Sequence, residues 1–211
     1  MLVLLDLDNT LVDRDGAFKT WAASFVAEVG ADLAEMDWLV SADGSGYTPR
    51  RDLAERIVRR FGLSCSVDAV VARLRFEVVA GIECFPGVLD GLDRLRSSGA
   101  VLGVVTNGES RQQRLKMTRT GLDELILDSV ISAEAGVKKP DAGIFTLARG
   151  MAPQEAPVWM VGDHPEADIA GARAVGFLTG WVSRGKPWTA SWEPTLTAPS
   201  TAEVLAGLLG G

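Results

Sequence analysis

The feature that most restricts the fold is a short apolar run broken by charge. Residues Met1 to Leu5 are all apolar and contain no turn former, and Asp6 and Asp8 follow at once in the stretch DLDNT. A continuous run of that length suits a strand covered on both faces, the condition of strands in parallel sheets flanked by helices. In an extended backbone, residues two apart leave the same side, so the Asp6 and Asp8 carboxylates would sit together at the strand's carboxyl end. Like charges that close repel each other and resist desolvation unless a cation lies beside them. The pair points to a metal and a reaction. The competing reading makes both of them solvated turn residues, with Thr10 capping a helix.

At 211 residues the chain has room for one generous domain, or for a core domain carrying an insertion. Hydrophobic residues make up 47% and charged residues 23%, a globular balance that gives no reason to expect long disorder. No apolar stretch reaches the ~20 residues of a spanning helix, and Asp6 stops the N-terminal run before it could serve as a signal-peptide core. The expected protein is cytoplasmic and has no membrane partner. A formal net charge of -7 repels polyanions and argues against a nucleic-acid partner. A small anionic substrate remains compatible with it, because local cations and backbone amides reverse the field inside one pocket. Cys65 and Cys84 show no C-x-x-C spacing and His164 is the only histidine, which excludes the usual zinc patterns. There is no G-x-S-x-G elbow to support a serine hydrolase.

After the opening strand and a short polar stretch from Val12 to Gly16, helical spacing runs from Phe18 to Val29. It recurs from Leu33 to Val40, from Leu53 to Phe61 and from Val67 to Val78, with an exposed loop expected from Ser41 to Asp52. No strand is expected between Gly16 and Ala80, so a block of helices is inserted behind the first strand. From Phe85 onward helix and strand alternate. Strands are expected at Val101 to Val105, Ser129 to Ser132, Pro157 to Val161 and Phe177 to Val182. Helices are expected at Val88 to Leu95, Ser110 to Thr120, after Asp141, and at Glu166 to Val175. Such alternation requires crossover connections and a parallel sheet, the doubly wound α/β architecture. Arg184 to Pro199 reads as a loop over the sheet edge, and Ser200 with Glu203 as the capping box of a last helix. The tryptophans read as packing.

Doubly wound sheets bind ligands beyond the carboxyl ends of their strands. Those ends carry Asp6 and Asp8, Thr106 and Asn107, and Asp163 and Asp168, with Lys139 in a nearby connection. Singly, Thr106-Asn107-Gly108 could be a turn, Lys139 a solvated loop residue and Asp163 a helix cap. Taken together in this order, the motifs DLDNT, VVTNG, KKP and GDHPEAD resemble the four motifs of haloacid dehalogenase-like (HAD) hydrolases. The resemblance covers essentially the full chain. It implies a Rossmann-like core of residues 1–13 and 84–211, with a small all-helical cap at residues 14–83. It also implies that Asp6 is the nucleophile and Asp8 the acid/base, that Thr106 and Lys139, with Asn107 beside them, hold phosphate, and that magnesium is bound by Asp6, the Asp8 carbonyl and Asp163. Asp168 is expected to hold a coordinated water, His164 to be only a neighbour of the site, and Lys138 to face solvent.

The chemistry of these residue types agrees with that implication. A carboxylate that attacks phosphorus forms an aspartyl-phosphate and splits hydrolysis into two easier displacements. A lysine and a magnesium ion balance the charge on the transferring phosphoryl group. Members resembling dehalogenases lack the second aspartate, because a carbon–halogen bond needs no proton on its leaving group, and Asp8 is present here. The expected activity is magnesium-dependent hydrolysis of a small-molecule phosphate monoester. The alternatives are a β-phosphoglucomutase-like phosphomutase, which would share every motif, and then a haloacid dehalogenase or a non-catalytic phosphate-binding protein. The resemblance assigns specificity to the cap, where Arg14, Tyr47, Arg50 and Arg51 are the candidates.

Overall fold

The computed structural model describes residues 1–210, which form two compact units: residues 1–12 together with those from 84 on, and Asp13–Glu83. In the first unit, β1 (Leu2–Leu5), β2 (Val101–Thr106), β3 (Asp128–Ile131), β4 (Val158–Gly162), β5 (Leu178–Val182) and β6 (Leu196–Ala198) form one parallel sheet in the order β3-β2-β1-β4-β5-β6. β1 is central and buried along its whole length, as its unbroken apolar run requires. Leu5 is in register with Val104 on one side and Val161 on the other, so β2 runs on past the end of β1 to Thr106 and β4 to Gly162. The chain leaves β1 toward β2 and returns past it to β4. That reversal is the topological switch point at which doubly wound sheets open a crevice.

One face of the sheet packs on α8 (Ala142–Arg149), where Leu2, Leu4, Val105, Ile144 and Phe145 share a core. On the other face, α5 (Val88–Ser97) and α10 (Thr201–Leu209) lie together and bury Val88, Leu92, Leu95, Val204 and Leu205 completely. Between β2 and β3 comes α6 (Ser110–Thr120), and α7 (Ser132–Ala135) is a single turn after β3. Among the described residues no helix is long and apolar enough to cross a membrane.

In this unit two segments differ most from their sequence-based expectation. The supposed loop after Arg184 contains β6, whose three residues are too few to show a periodicity. It is anchored by Thr179 and Thr195, each of whose backbone N–H groups donates to the other's hydroxyl at 3.1 Å. The helix expected from Glu166 to Val175 is a π-helical turn, Pro165–Ala170, followed by the short α9 (Gly171–Ala174). Such wide turns cluster at functional sites because they re-aim a side chain, and this one carries Asp168.

The second unit consists of α1 (Arg14–Glu28), α2 (Ala34–Asp43), α3 (Arg50–Phe61) and α4 (Val67–Ala80). Phe18, Trp21, Phe25, Phe61 and Trp38 form a continuous series of ring contacts through its core. α1 begins earlier than its apolar spacing suggests, because the Asp13 carboxylate accepts from Gly16 N and caps it. The exposed loop expected from Ser41 to Asp52 is also shorter. α2 continues through Asp43, which is fully buried beneath Arg14, Arg50 and the Gly46 N–H. A buried carboxylate persists only with such partners.

Candidate active site

The crevice between β1 and β4 is built by the loop that follows Leu5. Asp6 N donates to Val161 O at 2.9 Å, and Leu11 N and Val12 N both return to Leu7 O, so residues 6–12 form a tight loop with Asn9 at φ 62°. Asn is among the few side chains that tolerate that conformation. Thr10, which the competing turn reading would make a helix cap, ties the two strands together. Its hydroxyl accepts from Asp163 N at 3.1 Å and donates to Asp6 Oδ2 at 3.0 Å.

Lys139 enters from the connection between β3 and α8 and is 4% exposed, whereas Lys138 beside it is exposed. Its ammonium donates to Asp6 Oδ1 at 2.6 Å and Val105 O at 2.7 Å, and lies 2.7 Å from Asp168 Oδ1. Asn107 holds the lysine in place, accepting from Lys139 N at 2.9 Å and donating to Lys139 O at 3.0 Å. Both ends of its amide are thus engaged by backbone rather than presented to a ligand. Asp168 accepts from His164 N at 3.0 Å through Oδ2. Gly162 makes this possible, since a Cβ there would stand 2.3 Å from Asp168 Oδ2. His164 itself accepts from Glu166 N and Ala167 N through Nδ1 and caps the π-helical turn.

Asp6, Asp163 and Asp168 offer oxygens that all lie within 4.8 Å of one another. Three carboxylates face one ammonium, and the surplus negative charge adds to burial in raising Asp6 and Asp163. Burial raises the Asp6 carboxyl to about 8, with Lys139 opposing the rise and Asp168 and Asp163 adding to it. Burial and then Asp168 raise Asp163 to about 6, against Lys186 and Arg184. Burial alone would depress Lys139, but the Asp168 and Asp6 carboxylates override it and hold the ammonium charged. Asp168 Oδ1 is paired with Lys139 by charge but receives no properly directed hydrogen bond. An all-oxygen cluster with excess negative charge and an unsatisfied buried oxygen fits a hard divalent cation.

Asp8, though two residues from Asp6, is held apart from that cluster. Lys116 Nζ lies 2.7 Å from each of its carboxylate oxygens, and Gln113 Nε2 donates to Oδ2 at 3.1 Å and to the buried Thr106 hydroxyl at 2.6 Å. Neither Lys116 nor Gln113 is singled out by the sequence motifs.

A family model for haloacid dehalogenase-like hydrolases matches residues 1–176. The chain belongs to that family. HAD relatives include a glyceraldehyde 3-phosphate phosphatase of Methanopyrus kandleri, 32% identical over 201 residues that cover 87% of this chain and 84% of the relative. A phosphoserine phosphatase of Thermus thermophilus is 32% identical over 193 residues, covering 89% of this chain and 67% of its own. The HAD hydrolase YfnB of Bacillus subtilis, solved with magnesium, shares the fold at a TM-score of 0.80 and 21% identity, over 100% of this chain and 98% of that one. The site residues expected from the HAD motifs, Asp6, Asp8, Thr106, Asn107, Lys139, Asp163 and Asp168, all lie at this one crevice.

The four candidates in the helical unit have distinct surroundings. Arg14 is buried and pairs with Asp43, and Arg50 meets the same carboxylate at 2.9 Å. Arg51 pairs with Asp68 at the surface, and Tyr47 is 63% exposed.

Proposed function

We propose that this HAD hydrolase is a magnesium-dependent phosphatase that hydrolyses small-molecule phosphate monoesters through an aspartyl-phosphate on Asp6. The observation that carries the reading is the separation of two carboxylates of one strand end. Asp6 lies among Lys139, Asp163 and Asp168, while Asp8 is gripped by Lys116 outside that cluster. That separation supports giving attack to one carboxylate and proton transfer to the other, a division that carbon–halogen cleavage does not need.

In the first step Asp6 attacks phosphorus as the ester P–O bond breaks, and Asp8 gives the leaving oxygen its proton. In the second, Asp8 takes a proton from the water that attacks the aspartyl-phosphate, and phosphate leaves with Asp6 restored. Lys139 and the Thr106 hydroxyl bind the phosphoryl oxygens and offset their growing charge. Asp6, Asp163 and the Asp8 carbonyl, with Asp168 behind them, would hold magnesium, which would supply further charge neutralisation at the phosphoryl group. The two relatives' names denote phosphate esters of three-carbon compounds, which favours a small phosphorylated metabolite as substrate. A phosphomutase would use the same residues, and no observation favours it.

Phosphate release from p-nitrophenyl phosphate and a panel of phosphorylated metabolites tests this. Turnover should require magnesium, stop with EDTA and return on adding the ion back. Acid-quenched Asp8→Asn should carry a phosphate on Asp6 detectable by mass spectrometry, because an activated phenol leaves without help while water attack is slowed. No ester hydrolysed, or the same phosphate found in Asp6→Asn, would overturn the assignment.

A further inference from the structure

Lys116 and Gln113 are two buried polar residues that the chemistry above does not use. Their helix, α6, runs beside the end of β2, and positions three apart share a helix face. Both point at Asp8. The Lys116 side chain is 3% exposed while that of Asp8 is 26% exposed, so the ammonium is the sunken partner. Burying an ammonium is costly even when it is paired, and such a pair is weak evidence for stability. Its effect on Asp8 is geometric. Two short contacts to the two carboxylate oxygens fix the plane of the group. Gln113 extends the constraint, since its one Nε2 reaches both Asp8 Oδ2 and Thr106 Oγ1. With its oxygen accepting there, the Thr106 hydroxyl is turned to donate its own proton elsewhere. Gly108 leaves room for this, because a Cβ on it would come within 2.8 Å of the Gln113 side chain.

We propose that Lys116 and Gln113 are positioning residues of the proton-transfer step, locking the Asp8 carboxylate in one orientation and in register with the Thr106 hydroxyl. This rests on the phosphatase reading. Neither residue is placed on the ester; Lys116 acts through Asp8, and Gln113 through Asp8 and Thr106.

The test is a double-variant cycle. Lys116→Met and Gln113→Leu are made alone and in the Asp8→Asn background, and kcat and KM are measured with p-nitrophenyl phosphate. The single variants are also assayed with glycerol phosphate, whose alkoxide leaves only with a proton. Lys116→Met should lower kcat about 10- to 100-fold, the size expected of a small misplacement, with KM unchanged to within ~3-fold. The loss should be greater for glycerol phosphate, and Lys116→Arg, whose guanidinium can also grip a carboxylate through two bonds, should recover part of it. In the Asp8→Asn background Lys116→Met should cost no more, and Gln113→Leu should cost less than in the parent, because residues that act through one group are not additive. Additive losses, equal losses on the two esters, or a loss confined to KM would overturn the proposal. Thermal unfolding separates folding from function. If Lys116→Met does not fold, the Gln113→Leu cycle decides, and if neither folds the two residues are structural and the proposal falls. A parent enzyme inactive on both esters would sink the phosphatase reading itself, an outcome distinct from an active parent with additive losses.

Discussion

Lys138 and Lys139 are the same side chain in opposite surroundings. Lys138 is exposed, where a single charge contributes little, whereas Lys139 is buried against Asp6, Asp168 and the Val105 carbonyl. Lys139→Ala should therefore lower kcat/KM by about 100-fold or more, as loss of a preorganised charge at a phosphoryl group does. Lys138→Ala should stay within about 2-fold of the parent. Steady-state kinetics on the pair decides, and equal losses would contradict the assignment of Lys139 to the phosphoryl group. The Asp6, Asp8 and Asp163 positions were readable from sequence because charge at the end of an apolar run is costly and demands a reason. Thr10 was not. A small hydroxyl in Asp-Asn-Thr suits any turn, and its bridge to Asp163 exists only once residues 153 positions apart become neighbours.

At the scale of the element, α6 inverts the usual rule. Its apolar Leu115 is 40% exposed while Gln113 and Lys116 are buried with Met117. A reading that follows apolar spacing finds the helix but points its wrong face inward. The available signal was the scarcity of apolar residues in a helix that must still cover a sheet edge, which forces polar groups inside and with them a need for partners. β6 escaped notice for a different reason, since three residues with an exposed Thr197 carry too little pattern. α10 was legible through Ser200 and Glu203: Ser200 Oγ accepts from Glu203 N at 3.3 Å and caps the helix, while the Glu203 carboxylate accepts from the Ser200 hydroxyl at 2.7 Å. Its contact with the candidate site was not legible. Thr201 Oγ1 donates to Thr10 O at 2.5 Å, pinning the loop that carries Asp6 and Asp8. Thr201→Val removes that donor from a buried position and should cost about 1–3 kcal/mol. Urea denaturation measures it, and a midpoint equal to the parent's would mean that the loop is held without α10.

For the whole molecule, the excess of buried carboxylates links folding, protons and metal. Asp6 and Asp163 hold their protons more tightly folded than unfolded, at about 8 and about 6 against an ordinary value of 3.8. Each therefore stabilises the metal-free fold fully below the unfolded value, and this contribution is lost as pH rises through the folded one. A divalent cation takes the protons' place, so the rise in melting temperature on adding magnesium should be larger at pH 8 than at pH 5.5. Thermal denaturation with magnesium and with EDTA at the two pH values checks this. An equal rise at both would mean that the carboxylates are already ionised without the ion.

The order of the strands also bears on when the protein acquires its activity during synthesis. β1 is made before every other strand of its sheet, yet its neighbours are β2 and β4, and its loop is pinned by Thr201. A ribosome that has made Asp6 and Asp8 must still deliver Thr106, Lys139 and Asp163, and then α10, before that loop closes. Because the proposed nucleophile is translated so long before its partners, a nascent or prematurely ended chain carries the reactive carboxylate without the means to use it. Competence waits until α10 has been made.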